Sequence, residues 1–180
     1  MVRPDYRFCP HCATALSTGI VAGRERKACP ACGFTHWNNP APVVAALVQV
    51  GDLILLARNA AWPPKTFALI TGFLEAGETP EEGIAREVME ETSLEVERTS
   101  LIGVYEFTRK NELIIAYHVI ASGSVTLSEE LVEYRMVAPE RLRPWRAGTG
   151  LAVADWMRAR RLPFEFVDFP TRTAPAQGTA

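Results

Sequence analysis

Apolar positions along this chain change their period several times, and the changes mark out elements. Pro42 to Val50 is an almost unbroken apolar run, which predicts a strand buried on both faces. Gly51 and Asp52 turn it into Leu53 to Ala57, a hairpin partner. Ala60 to Lys65, with two prolines and Trp62, reads as loop, and Phe67 to Ile70 as a short strand. Gly72 to Gly77 has a glycine at each end and no helical period, so it reads as a loop. Thr79-Pro80-Glu81-Glu82 then carries the marks of a helix start: a capping hydroxyl, a proline in the first turn and a glutamate three residues after the cap. Ile84, Ala85, Val88 and Met89 form the predicted apolar stripe, and Glu82–Arg86 and Arg86–Glu90 are i,i+4 pairs of opposite charge. Glu95 to Thr108 and Leu113 to Ser122 read as strands joined by a turn at Arg109 to Asn111. Tyr134 to Ala138 reads as a further strand and Pro139 to Leu142 as a helical turn. Thr149 to Arg161 reads as an amphipathic helix with Leu151, Ala152, Ala154 and Met157 among its apolar positions. Thr171 to Ala180 is small and polar and should fray.

Composition adds limits. A chain of 180 residues holds one medium domain and a small metal-stapled one. Hydrophobic content of 48% is ordinary for a globular protein, and no run approaches membrane length. The formal net charge of −2 does not favour a nucleic-acid surface, so nucleic acid is not the expected partner.

The cysteines change the picture more. All four fall in the first 32 residues, as Cys9-Pro-His-Cys12 and, sixteen residues on, Cys29-Pro-Ala-Cys32. This is the paired spacing of a tetrahedral Zn²⁺ site, and a site closed by four sulfurs is structural. The opening MVRPDYRF is polar and charged, with no apolar signal segment. A reducing, cytoplasmic setting and thiolate ligation are therefore expected, not disulfides. His11 and His36 lie close enough in sequence to replace a thiolate, but four cysteines already complete a site.

Glu87, Glu90 and Glu91 stand at i, i+3 and i+4 on the predicted helix. At about 100° per residue they fall within roughly 100° of arc, on one face. Carboxylates so crowded repel one another, and a hard divalent cation is the natural counter-charge. A solvated acidic helix with ordinary salt bridges is the alternative.

The whole stretch Gly72 to Leu94, GFLEAGETPEEGIAREVMEETSL, resembles the Nudix box. Gly72, Glu78, Arg86, Glu87, Val88, Glu90, Glu91 and Leu94 match it in type and spacing. Ser93 departs, standing where the family usually has glycine just past the helix. A short zinc ribbon before such a domain is similar to the NADH, FAD and ADP-ribose pyrophosphatase group of that family. The resemblance implies an α/β fold, a Nudix-type α/β/α sandwich with a mixed sheet, preceded by a small zinc ribbon. The expected division is residues 1–38 for the ribbon, 39–165 for the hydrolase domain and 166–180 for a tail.

The resemblance also implies a reaction: hydrolysis, dependent on Mg²⁺ or Mn²⁺, of the pyrophosphate of a nucleoside diphosphate linked to another moiety. Glu87, Glu90 and Glu91 are its implied metal ligands, Arg86 orients a catalytic glutamate, and Glu78 is a peripheral acid, with a helix-dipole partner near the N-terminus as the alternative. Glu129, Glu130 and Glu133 cluster before the Tyr134 strand, and Glu130 sits where related enzymes place an additional metal-binding glutamate. It is the expected base or extra ligand, with a charged surface loop as the alternative. The family's NADH-cleaving members carry Ser-Gln-Pro-Trp-Pro-Phe-Pro after the box. This chain reads LIGVYEFTRKNELIIAYHVIA there, so ADP-ribose or FAD is favoured over NADH. Phe67, Tyr105, Phe107 and Tyr117 could stack a base, though strand aromatics more often serve the core. Arg58 and Arg109 could meet a diphosphate, with surface salt bridges as the alternative. A homodimer is implied. The competing functional readings are an RNA-directed decapping enzyme and a non-catalytic nucleotide sensor.

Overall fold

The computed structural model describes residues 6–168. The expected fraying segment, Thr171 to Ala180, lies outside the described residues. The chain divides into two compact units, Met1–Pro40 and Ala41–Ala180.

The first unit is built on two matching turns. In one, the Ala13 N–H bonds the Cys9 carbonyl and the Cys9 N–H bonds Thr14; in the other, Gly33 bonds Cys29 and Cys29 bonds Phe34. Ala13 and Gly33 both take positive φ, 58° and 77°, which folds each Cys-x-x-Cys back on itself. Between them runs an antiparallel three-stranded sheet of β1 (Ser17–Val21), β2 (Arg24–Ala28) and β3 (Thr35–His36), in that order.

The second unit is a mixed sheet between two helices. Its strands are β4 (Ala41–Val50), β5 (Leu53–Asn59), β6 (Ile70–Phe73), β7 (Glu95–Phe107), β8 (Glu112–Ser122) and β9 (Leu131–Val137). The spatial order is β7-β8-β4-β5-β9, with β6 also paired to β4; β4 and β8 run parallel and every other pair antiparallel. Helix α1 (Pro80–Thr92) covers one face and α2 (Thr149–Ala159) the other. The apolar run is explained by this sandwich. Val44, Ala46 and Val48 pack with Ile84 and Val88 of α1, while Val43, Ala45 and Leu47 face the layer containing Ala152, Val153 and Met157 of α2.

Several boundaries differ from the sequence reading, each for a tertiary reason. The strand expected at Phe67 to Ile70 lies at Ile70–Phe73: only Ala68 bridges to β5, at Ala57, before the chain crosses to pair with β4. Gly72 is thus in a strand and not in the loop. β9 begins at Leu131, three residues early, because its pairing with β5 extends to Asn59. The expected turn at Arg109 to Asn111 is a 3-10 turn at Thr108–Lys110 closed by Asn111 at φ 53°. α2 ends at Ala159, since Arg161 takes φ 57°. In the stripe of α1, Ile84 and Val88 are buried, but Met89 is 44% exposed and Thr92 takes the next buried position.

Ser93 closes α1 in the left-handed region, at φ 58° and ψ 19°, its N–H on the Met89 carbonyl. Left-handed backbone costs an L-residue about 1–2 kcal/mol, against about 0.5–1 kcal/mol of extra chain entropy for glycine. Ser93→Gly should therefore stabilise the protein by about 0.5 kcal/mol, read as a higher urea midpoint with an unchanged slope.

Candidate active site

The start of α1 sets the site. The Thr79 hydroxyl accepts the Glu82 N–H at 3.2 Å, and the Glu82 carboxylate accepts the Thr79 N–H at 2.8 Å. This reciprocal cap occupies Glu82. The expected Glu82–Arg86 pair is accordingly absent among the described ion pairs, and Arg86 turns to the loop before the helix instead. Its Nη2 and Nε bond Glu78 at 2.8 and 3.1 Å, and Nη2 also donates to the Phe73 carbonyl at 3.2 Å. Its Nη1 bonds Glu87 at 2.8 Å and Glu90 at 3.2 Å. One guanidinium thus ties the loop, the end of β6 and two helix carboxylates together. Glu78 is held below the usual carboxylate range by Arg86, and further by the Glu75 N–H that it accepts at 2.6 Å.

The glycine that opens the motif has a clear job. A Cβ on Gly72 would stand 1.8 Å from Glu87 Cδ, so the Glu87 carboxylate occupies the volume a side chain would take.

Glu91 is the electrostatic outlier. Burial pushes its carboxyl up to about 7, and the charges of Glu87, Glu130 and Glu90 push the same way. Its Oε2 is buried without a hydrogen-bond partner. A half-buried carboxylate facing three others with an oxygen unspent is what a divalent cation relieves, so the donor set fits a hard metal ion.

These side chains line one cleft of about 650 Å³. Glu87, Glu90 and Glu91 come from α1, Thr71 to Phe73 from β6, and Ser128, Glu129 and Glu130 from the loop before β9. Glu130 therefore comes together with the helix trio. Glu133 does not: it pairs with Arg58 at 3.3 Å and Arg135 at 3.6 Å, so Arg58 is held in a salt bridge. Lys110 is the cleft's sole cationic lining among the described residues, facing seven glutamates that include Glu75 and Glu112.

A second cleft, of about 540 Å³, adjoins the first; Val43, Thr71, Lys110 and Glu112 line both. Its walls include Trp62, Phe107, Arg109 and Trp145. Of the four aromatics considered from sequence, only Phe107 lines it. The Tyr105 hydroxyl donates to Asp155 at 2.9 Å, the buried Tyr117 hydroxyl donates to Glu81 at 2.8 Å, and Phe67 lies beneath Arg135. The roles of Trp62, Trp145, Lys110 and Ser128 were missed. They stand in loops and turns of no regular period, and the one sequence signal was the density of tryptophan and proline in Ala60 to Lys65.

In the ribbon, the sulfurs of Cys9, Cys12, Cys29 and Cys32 all lie within 4.8 Å of one another. Cys9–Cys32 and Cys12–Cys29 are 3.5 Å apart and Cys12–Cys32 3.6 Å. Tetrahedral zinc with Zn–S bonds of about 2.3 Å requires sulfur separations of about 3.8 Å, so the cluster fits such an ion with slight expansion. The Thr14 hydroxyl and backbone, with Cys29 and Cys32, lower the Cys12 thiol to about 6, while Cys32, although lowered by the Phe34 backbone, is pushed up by the Cys9, Cys29 and Cys12 sulfurs and by burial to about 12, so the crowded sulfurs do not all ionise unaided. His11 packs against Phe34 and His36 against Tyr6 with tilted rings, and neither belongs to the sulfur cluster. No helix among the described residues is long and apolar enough to cross a membrane.

Comparison with known proteins agrees with both units. Residues 39–157 match the family model described as NUDIX domain, and residues 7–38 the one described as Nudix N-terminal, a zinc ribbon. The chain is 31% identical over 162 residues to the NAD-capped RNA hydrolase NudC of Stutzerimonas stutzeri, covering 88% of this chain and 58% of that protein. It is 33% identical over 129 residues to NudC of Pseudomonas aeruginosa, covering 71% and 45%. It thus spans about half the length of these curated relatives. Among solved structures, a NUDIX hydrolase from Nitrosomonas europaea superposes with a TM-score of 0.73 at 24% identity, covering 91% of this chain and 99% of that one. An ADP-ribose pyrophosphatase from Streptococcus suis superposes with a TM-score of 0.56 at 18% identity, covering 72% and 100%. At these identities the two structures speak for the fold alone.

The raised Glu91 has a consequence for stability. Its carboxyl titrates near 7 in the fold and near 4.3 in an unfolded chain, so the fold favours the protonated form. That contribution is full below about pH 4 and is lost as pH rises through 7. Metal-free protein carrying Glu91→Gln should therefore have a higher Tm than wild type at pH 8 and a near-equal one at pH 4. Calorimetry at the two pH values checks this.

Proposed function

The chain belongs to the Nudix family, and from that premise we propose that it hydrolyses the pyrophosphate bond of a nucleoside diphosphate linked to another moiety, giving two phosphomonoesters. The observation that carries this reading is the buried, partnerless Glu91 oxygen in an acidic cleft that adjoins an aromatic one. Glu87, Glu90 and Glu91 would hold Mg²⁺ or Mn²⁺. When bound, such an ion neutralises phosphate oxygens and acidifies a water. Arg86 positions Glu87 and Glu90 and does not itself touch substrate. Glu130, across the cleft from α1, would take the proton from the attacking water or add a ligand. Lys110, on the rim common to both clefts, suits the outer phosphate oxygens. Trp62, Phe107 and Trp145 offer flat apolar walls for the nucleoside. The four cysteines would hold a structural Zn²⁺ that takes no part in the chemistry, and a homodimer belongs to the same reading.

Two substrate classes compete. The missing Ser-Gln-Pro-Trp-Pro-Phe-Pro run favours ADP-ribose or FAD over NADH. The activity for which the relatives are named favours a nicotinamide dinucleotide at the 5′ end of RNA, which brings back the nucleic acid that the net charge of −2 had counted against. A screen of ADP-ribose, FAD, NADH and NAD-capped RNA with Mg²⁺, products identified by mass, decides between them. Absence of cleavage for all four would overturn the proposal.

One variant and one removal test the roles. Glu90→Gln should lower kcat about a hundredfold or more with the fold intact, which equals the loss of about 3 kcal/mol of charge stabilisation. Wild-type protein should contain one zinc per chain by elemental analysis. Its removal by chelation should unfold the ribbon, seen as lost amide dispersion for residues 6–40, while the hydrolase unit keeps its spectrum.

A further inference from the structure

Beside the aromatic cleft lies a pocket of the opposite character to the acidic one. A recess of about 280 Å³ opens along β9, the terminal strand of the sheet, and Lys65, Arg135, Arg141 and Arg143 line it. Asp168 is the sole acid among its lining residues. Four cations in one recess stand out in a chain of net charge −2. Lys65, Arg141 and Arg143 have no ion-pair partner among the described residues.

The cations are held by structure. Arg141 and Arg143 flank Leu142, which is 3% exposed, and Pro139 and Pro144 fix the backbone on either side. The Arg135 guanidinium lies 3.9 Å over the Phe67 ring, and Glu133 reaches its Nη2 at 3.6 Å. Arg135 is thus stacked on one face, with further N–H groups along its edge. Thr66, 2% exposed, has a buried Oγ1 with no partner. It lines both the recess and the aromatic cleft, as does Trp145. The acidic cleft, the aromatic cleft and the basic recess therefore adjoin one another in series, with opposite charge at the two ends.

We propose that the basic recess binds a second phosphate group of the substrate, one that is not cleaved. The proposal rests on the reading of the acidic cleft as the site of pyrophosphate hydrolysis. The recess is smaller than the 300–1,000 Å³ of pockets that enclose whole ligands, so it suits a group and not a cofactor. Guanidinium forks match phosphate oxygens, and an unpaired buried hydroxyl at the junction lacks the hydrogen bond such an oxygen would supply. The charge gradient also sets direction. A substrate with a phosphate at one end and a pyrophosphate at the other is drawn to the recess first and repelled from the acidic cleft until a cation is there. The phosphate could be a phosphomonoester on the ribose of a dinucleotide or the first phosphodiester of an RNA chain.

The test compares substrates that differ by that group. Wild type and the double variant Arg141→Ala/Arg143→Ala are assayed with NADH, its 2′-phosphorylated counterpart NADPH, and a NAD-capped trinucleotide RNA. NADH hydrolysis should stay within about twofold, as for surface changes away from a site. KM for a phosphate-bearing substrate should rise about tenfold or more, the worth of one or two charged hydrogen bonds, with kcat unchanged. A rise confined to NADPH identifies the monoester, and one confined to capped RNA the phosphodiester. Arg141→Lys/Arg143→Lys should recover part of the loss. An equal loss on NADH, or no loss on either phosphate-bearing substrate, overturns the proposal. If wild type cleaves none of the three, the hydrolytic reading stands or falls on ADP-ribose and FAD, and binding decides the recess by itself. Arginine Nε–H resonances are followed during titration with inorganic phosphate and with a single-stranded pentanucleotide. Shifts in wild type that vanish in the alanine double variant uphold it, and unmoved resonances overturn it.

Discussion

Three glutamates on one helix face repel one another, and the site depends on what holds them there. Arg86 bonds Glu78, Glu87 and Glu90 at once, so it offsets the crowding on one side and anchors the helix to the preceding loop. Gly72 leaves the space that the Glu87 carboxylate fills. Glu91 receives no such help. Its cost falls on burial and on its neighbours, and a cation would settle it. One acid of the helix is thereby left available, while the others have fixed directions.

The fold serves this arrangement by making the sheet's central strand inert. β4 is buried on both faces and pairs with β5, β6 and β8. Because β6 hydrogen-bonds to β4, the strand that ends at Phe73 delivers Gly72 to Glu87 and the Phe73 carbonyl to Arg86 at fixed positions. α1 then packs Ile84 and Val88 onto the same layer, which fixes the rotation of its acidic face. Acidic, aromatic and basic lining follow one another, so charge along the clefts changes sign while the apolar middle stays constant.

Much of this was legible where the signal is local. The capping box at Thr79 and Glu82, the helix it starts, the apolar β4 and the hairpin after it need only near neighbours, and they stand where the pattern put them. The four cysteines were legible for the same reason, since two tight turns bring each pair together. What local pattern could not give was competition. Glu82 looks like a partner for Arg86 until the cap claims it. Gly72 looks like a loop residue until its pairing with Val44 and the nearness of Glu87 are known. Met89 fits a helical stripe by period, but it stands 44% exposed and Thr92 is buried in its place. Trp62, Trp145 and the arginines of the recess come from loops, where no periodicity reports which side chains converge.

The parallel pairing of β4 with β8 has a kinetic side. Two parallel neighbours require a long crossover, and here about sixty residues from Gly51 to Asn111 form it, enclosing β5, β6, all of α1 and β7. Closing a loop of that length carries an entropic penalty before any contact rewards it, and such pairings form slowly. The helix can begin to wind early under its own cap, yet its carboxylates gain their opposing wall only once β8 has docked and the segment beyond it has brought Glu130 back. During synthesis from the N-terminus, the four-cysteine unit can close long before the acidic cleft exists. A chain interrupted before Ser122 would therefore carry the entire glutamate motif and still lack a pocket in which to use it.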